Sequence, residues 1–174
     1  MALPGFSSAV LYDRWYDFAW TGTPTVQALG GIAGYTGVNG TTIYGTTCVG
    51  SAPCADPWTF TGAALLKVQD LYTDGDRFRV YDGVTLLGDT TVPVDDGTYC
   101  NNDPSLCTSG VFSHGAFALG AGSHSITIYT INQATGFYGG VAVFRVESIP
   151  EPATLSLIGL GLAAFAFRRR AQRT

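Results

Sequence analysis

The chain runs to 174 residues with a formal net charge of −4, and four of its nine basic residues crowd into the last seven positions. Up to Glu147, five basic residues (Arg14, Lys67, Arg77, Arg79 and Arg145) stand against twelve acidic ones, a net −7. That leaves no basic stripe to meet phosphates, which excludes nucleic-acid binding. Twenty-three glycines and plentiful Thr, Tyr, Phe and Val, with scarce Glu, Lys and Met, favour strands and turns over helices.

A first strand is predicted within residues 9–20, where aromatic and acidic residues mingle. Exposed, Trp15, Tyr16 and Trp20 would form a platform for stacking sugar rings, and the later Trp58 could stack on sugars too; buried, they are ordinary strand aromatics. Residues 21–47 are rich in Gly and Thr. They lack the strand–G-x-G-x-x-G–helix context and the Walker lysine, so no phosphate cradle is implied. Short strands are expected around 26–32 and 41–47, with Asn39-Gly40 as a hairpin turn.

The alternation sharpens after Pro57. Ala64, Leu66 and Val68 share one strand face, and Leu65, Lys67 and Gln69 the other. Phe78 and Val80 point inward while Arg77 and Arg79 point out. Asp82-Gly83 and Gly88-Asp89 read as turns leading into 85–87 and 90–94, a β-meander written in turn residues. The polar stretch 95–108 reads as a surface excursion. Strands over 110–119, 125–131 and 139–147 complete the body. In the second, Ile126 and Ile128 alternate with Thr127 and Tyr129; in the third, Ala142, Phe144 and Val146 face inward. The fold class expected is all-β: a single antiparallel β-sandwich, jelly-roll-like, over residues 1–148.

Little in this body reads as chemistry. There is no G-x-S-x-G elbow and no H-E-x-x-H, and His114 and His124 read as surface or turn histidines. Asp70, Asp74 and Asp76 are the best candidates for a calcium site, since calcium takes clustered carboxylate and carbonyl oxygens. Their spacing is not that of an EF-hand, and solvated turns explain the same residues. No other cofactor is implied.

Residues 149–174 differ from all that precedes. Pro150-Glu151-Pro152 is followed by an apolar run from Ala153 to Phe167 and then by Arg168, Arg169, Arg170 and Arg173. The prolines end any preceding strand. As a helix the run would reach only about 22 Å, short of the ~30 Å hydrocarbon core, with the arginines snorkelling to help it span. A Pro-Glu-Pro triplet, a short transmembrane helix and a basic cluster in this order resemble the PEP-CTERM sorting signal of Gram-negative bacteria. The resemblance implies an exported protein, anchored in the inner membrane through the C-terminal helix. It implies too that an exosortase cuts near Pro150, Glu151 and Pro152, leaving the body at the cell surface or in the extracellular matrix. It implies nothing about what the body does. Family members also carry an N-terminal signal, whereas no basic residue precedes Asp13; the expectation is that a signal lies upstream or has been removed.

In an exported chain, four cysteines in two close pairs read as disulfides, Cys48–Cys54 and Cys100–Cys107, each within a loop of turn-forming residues. A four-thiolate zinc site is the competing reading. Three function classes follow. The first is a non-catalytic surface or matrix protein associated with exopolysaccharide, as the resemblance implies. The second is a carbohydrate-binding module, assisted by calcium or not. The third, with the least support, is a glycan-cleaving enzyme.

Overall fold

The computed structural model describes residues 8–31, 34–46 and 57–149, and everything in them that is regular is strand. In chain order these are β1 (Ser8–Ala9), β2 (Trp15–Thr21), β3 (Val26–Gln27), β4 (Leu29–Gly30), β5 (Tyr35–Thr36), β6 (Thr42–Tyr44), β7 (Trp58–Thr61) and β8 (Ala64–Asp70). There follow β9 (Tyr72–Thr73), β10 (Arg77–Asp82), β11 (Thr85–Asp89), β12 (Tyr99–Asn101), β13 (His114–Leu119), β14 (Ser123–Asn132) and β15 (Gly139–Ser148). One sheet has the order β1-β7-β14-β10-β11, with β3 also on β14. The other has the order β13-β8-β15-β2-β6-β5, with β4 on β2, and β9 and β12 form a separate ribbon. Among the described residues the fold is all-β, in keeping with a composition that favours strands.

The two sheets face each other through the residues that alternate inward. From the second sheet come Phe18 and Trp20 of β2, Leu66 and Val68 of β8, and Phe144 of β15. From the first come Trp58 and Phe60 of β7, Phe78 and Val80 of β10, and Ile126 and Ile128 of β14. Aromatic contacts cross the interface directly: Trp58 and Phe144 lie 4.8 Å apart, and Phe18 meets Phe78 edge-on at 5.2 Å. This continuous apolar layer is the main source of stability, because burial of apolar area dominates folding.

A second, smaller core sits on the outer face of the second sheet. Ile43, Leu71, Cys100, Cys107, Phe112 and Val143 form it, with Trp15, Tyr35 and Tyr72 at its edge. Strand β15 is therefore buried on both faces, with Ala142, Val143 and Phe144 all out of water. A Cys100–Cys107 disulfide, with Cα atoms 5.1 Å apart, pins the segment that closes over this face.

Three expectations are corrected. The sheets are mixed, not purely antiparallel: β1 runs parallel to β7, and β2 parallel to β6. Gly88-Asp89 is not a turn but the end of β11. The register passes from Val80 opposite Gly88 to Tyr81 opposite Leu86, so Leu87 is an extra, bulged residue. Gly88 takes φ +148° there, and the Phe117 ring would stand 3.2 Å from a Cβ at that position. Finally, stretch 95–108 is no free excursion, because Cys100, Asp103, Pro104 and Cys107 are buried against the second sheet. The Asp82-Gly83 and Asn39-Gly40 turns do join antiparallel pairs, β10–β11 and β5–β6.

Candidate functional site

The tryptophans do not form a platform. Trp20 and Trp58 are 1% and 0% exposed, because both lie on the inward faces of their strands. Their indole N–H groups find no acceptor. Trp15 points the other way, into the edge of the second core, with the Arg145 guanidinium 5.9 Å from its ring. The expected ligand-binding role of these three residues is corrected accordingly: two are core and the third is half-covered.

Asp70, Asp74 and Asp76 are brought close together and buried, but not as a cation cage. Asp74 uses both carboxylate oxygens to accept the amides of Asp96 and Gly97, at 3.1 and 2.9 Å. Asp76 accepts the amide of Ala134, and Asp70 that of Leu71. The chain can fold back here because Gly75 between them has φ +125°, and a Cβ would strike Ala134. Burial, then repulsion from Asp76, pushes the Asp70 carboxyl well above the usual range; burial also raises Asp76. A proton held on Asp70 turns it into a donor towards Asp76. Among the described residues no group of three or more His, Cys, Asp or Glu side chains is arranged to hold a metal ion.

His124 is not a surface histidine. It is 7% exposed on β14, stacks on Phe60 at 5.0 Å, and places Nδ1 2.7 Å from Asp82 Oδ2 and Nε2 3.0 Å from the Gly120 carbonyl. Both ring nitrogens face acceptors, which suits the doubly protonated ring. Burial alone would lower its pKa, but Asp82 and the Gly120 carbonyl outweigh burial and hold it above the ordinary value. Asp82 also accepts the Ser125 amide at 2.8 Å. With Nε2 committed to a carbonyl, the ring cannot serve a serine as base, so this Ser-His-Asp neighbourhood is a brace for the β10–β11 turn. His114 sits at the surface beside Thr91.

Asp103 organises the disulfide segment. Its carboxylate accepts from the Ser105 amide (2.9 Å) and hydroxyl (2.7 Å), the Thr41 hydroxyl (2.8 Å) and the Asn39 amide (3.0 Å). Burial would raise its pKa, but these donors win and hold it at about 2. Gln69 donates from β8 to the carbonyls of Pro104 and Cys107, fastening the same segment to the sheet.

One concave site faces solvent on the first sheet. In β10 and β14 the inward residues (Phe78, Val80, Ile126, Ile128) force their neighbours outward, and the register sets Arg79 opposite Tyr129 and Tyr81 opposite Thr127. With Thr25, Ile131, Gly83 and Val84 these side chains line a groove of about 400 Å³. The Tyr81 and Tyr129 rings meet edge-to-face at 5.8 Å, and Tyr129 reaches Gln27 at 3.2 Å. Arg79 forks onto Asp89 with contacts of 2.7 and 3.0 Å. Among the described residues no carboxylate, thiol or imidazole lines the groove. The alternation of Ile126 and Ile128 with Thr127 and Tyr129 set Tyr129 on the opposite face from the inward residues. What sequence reasoning missed is that the β10–β14 pairing, across more than 40 residues, makes Tyr81 its neighbour.

The expected Cys48–Cys54 bridge, the Pro150-Glu151-Pro152 triplet, the apolar helix and the Arg168–Arg170 cluster lie outside the described residues. Among the described residues no helix is long and apolar enough to cross a membrane. No curated protein and no solved structure matches the chain. Residues 148–170 match the PEP-CTERM protein-sorting motif, beginning at the last residue of β15. The chain is thus a β-sheet body that carries a PEP-CTERM sorting signal, the mark of an exported, exosortase-sorted protein.

Proposed function

We propose that this is a non-catalytic protein of the cell surface or extracellular matrix, with a jelly-roll-like sandwich body. It is held in the inner membrane through its C-terminal helix, cut by an exosortase near Pro150–Pro152, and associated with exopolysaccharide. The sorting motif over residues 148–170 carries this reading. The body follows the usual pattern of exported domains in bearing a disulfide, Cys100–Cys107.

The test is intact mass and cell fractionation of the protein from its own host, with and without the exosortase. The expected product ends near Pro150–Pro152, lies outside the cytoplasm, and has its cysteines oxidised. A full-length chain that is unchanged by deleting the exosortase sinks the sorting reading. Release of reducing ends from the host's polysaccharide would sink the non-catalytic one.

A second reading, a carbohydrate-binding module, is favoured by one observation: the tyrosine-lined groove on the first sheet. It is compatible with the first, since a matrix protein that associates with polysaccharide needs a surface that does so.

A further inference from the structure

We propose that the groove between β10 and β14 holds a short stretch of an uncharged polysaccharide, with pyranose rings packed against Tyr81 and Tyr129. This rests on the carbohydrate-binding reading and gives it a place and a ligand class. A pyranose offers an apolar C–H face and a rim of hydroxyls. Tyrosine matches both, with a broad ring and a polar tip held at low conformational cost. Here the two rings stand edge-to-face at 5.8 Å, so they present differently oriented surfaces along one groove. The Thr25 and Thr127 hydroxyls flank them, and Ile131 and Val84 supply apolar wall.

Two features select among occupants. The charged side chain in the lining, Arg79, already makes a bidentate pair with Asp89, so it offers no free cation to a phosphate or carboxylate. The body is acidic as well, which repels polyanions. An extended peptide is disfavoured because β10 is bonded to β14 on one side and to β11 on the other. No backbone edge is open there for an added strand. A neutral polyol chain uses what remains: ring faces and hydroxyls in a groove of small-ligand size.

The experiment is isothermal titration of the full chain, held in detergent micelles, against dextran, laminarin, hydroxyethyl cellulose, alginate and the host's own exopolysaccharide. Tryptophan fluorescence would be a poor readout, since Trp20 and Trp58 are sealed in the core. Tyr81→Ala and Tyr129→Ala are each expected to weaken binding by about tenfold, the loss of one ring contact. Tyr81→Phe should stay within about threefold of the parent, because the ring survives. Thr127→Arg, which fills the groove without touching the core, should abolish binding and guards against misfolding of the tyrosine variants. Tyr138→Ala, at a 79% exposed site outside the groove, should change nothing.

Binding that survives Tyr81→Ala, Tyr129→Ala and Thr127→Arg overturns the groove while leaving the carbohydrate-binding reading intact. No binding to any polysaccharide overturns both. Preference for alginate over every neutral chain overturns the ligand class. A dimer in sedimentation that Thr127→Arg dissolves would show a second copy in the groove and overturn the proposal.

Discussion

The molecule has two cores built on opposite faces of the same sheet, and they are held together differently. Between the sheets, interlocked aromatic and branched side chains exclude water. On the outer face of the second sheet the apolar contribution is smaller: a handful of residues under a short segment. There the segment is tied down by the Cys100–Cys107 disulfide, by Asp103 and by Gln69. The lesson is that a layer too small to be stable through buried area alone is fixed by directional bonds and a crosslink. Such a layer should also be the first to open.

That difference can be broken from either side. The largest effect is expected in the main core: Phe144→Ala should cost about 3–5 kcal/mol, because Trp58, Phe18 and Tyr16 all pack on that ring. Urea unfolding followed by circular dichroism would show one cooperative loss; a variant as stable as the parent would mean the sheets do not share this core.

Removing the crosslink should cost less and act locally. Cys100→Ser with Cys107→Ser is expected to lose about 2–3 kcal/mol. Hydrogen exchange should then speed up in β9, β12 and the Asn39–Thr41 turn, while β8, β14 and β15 stay protected. Uniform exposure of all strands would contradict two separable layers. Asp103 adds a pH signature to the same layer. Its folded pKa is depressed to about 2, so its contribution is complete above the unfolded value near 4 and is lost as pH falls through about 2.

A third prediction has the opposite sign. Asp70 is raised by burial and by Asp76, so the fold favours its protonated form. Stability from this group is therefore complete below about pH 4 and declines as pH rises towards the raised value. Asp70→Asn mimics the protonated acid and should stabilise the protein at neutral pH by about 2 kcal/mol, flattening that decline. A destabilised variant would show that the carboxylate is needed charged. Because both Asp74 oxygens already accept backbone amides and no metal-holding cluster is arranged among the described residues, millimolar calcium should leave the thermal midpoint unmoved; a rise would return Asp70, Asp74 and Asp76 to the role of ligands.

The smallest effect concerns the brace at the β10–β11 turn. His124 is raised and Asp82 lowered, so their pair contributes fully between about pH 4 and 6.5. It fades above, as pH passes the raised imidazole value, and below, as pH passes the depressed carboxylate value. Asp82→Asn should remove about 1 kcal/mol within that window and less once pH has risen past the raised imidazole value. An equal loss on both sides of that value would mean that the pairing is a neutral hydrogen bond.

How much of this was legible in the chain depends on the core concerned. Period-two alternation marked the inward residues of β8, β10, β14 and β15, because one face of each strand meets only apolar partners. It failed where both faces are covered. Val143 of β15 is buried against the second core, while Asp17 of β2 is buried beside Gly31, and neither looks inward by pattern alone. Gly88-Asp89 carried a turn signal that a bulge used instead. Trp15, Trp20 and Trp58 suggested an exposed platform, but ring size cannot say which face of a strand meets solvent. The groove was only partly legible: the alternation set Tyr129 apart from the inward Ile126 and Ile128, and only the pairing of β10 with β14 brought Tyr81 beside it. The sorting signal was legible throughout, because it is linear and its order is the motif.

Strand β15 has a consequence for the order in which the protein is made. Among the described residues it is the last strand, yet it lies in the middle of its sheet, between β8 and β2, and supplies Phe144 to the centre of the main core. Neither sheet can close on the other until residues 139–148 have emerged, so the body has no early, stable partial fold. The sorting signal begins where β15 stops, so the strand on which the two sheets close and the sorting motif emerge together.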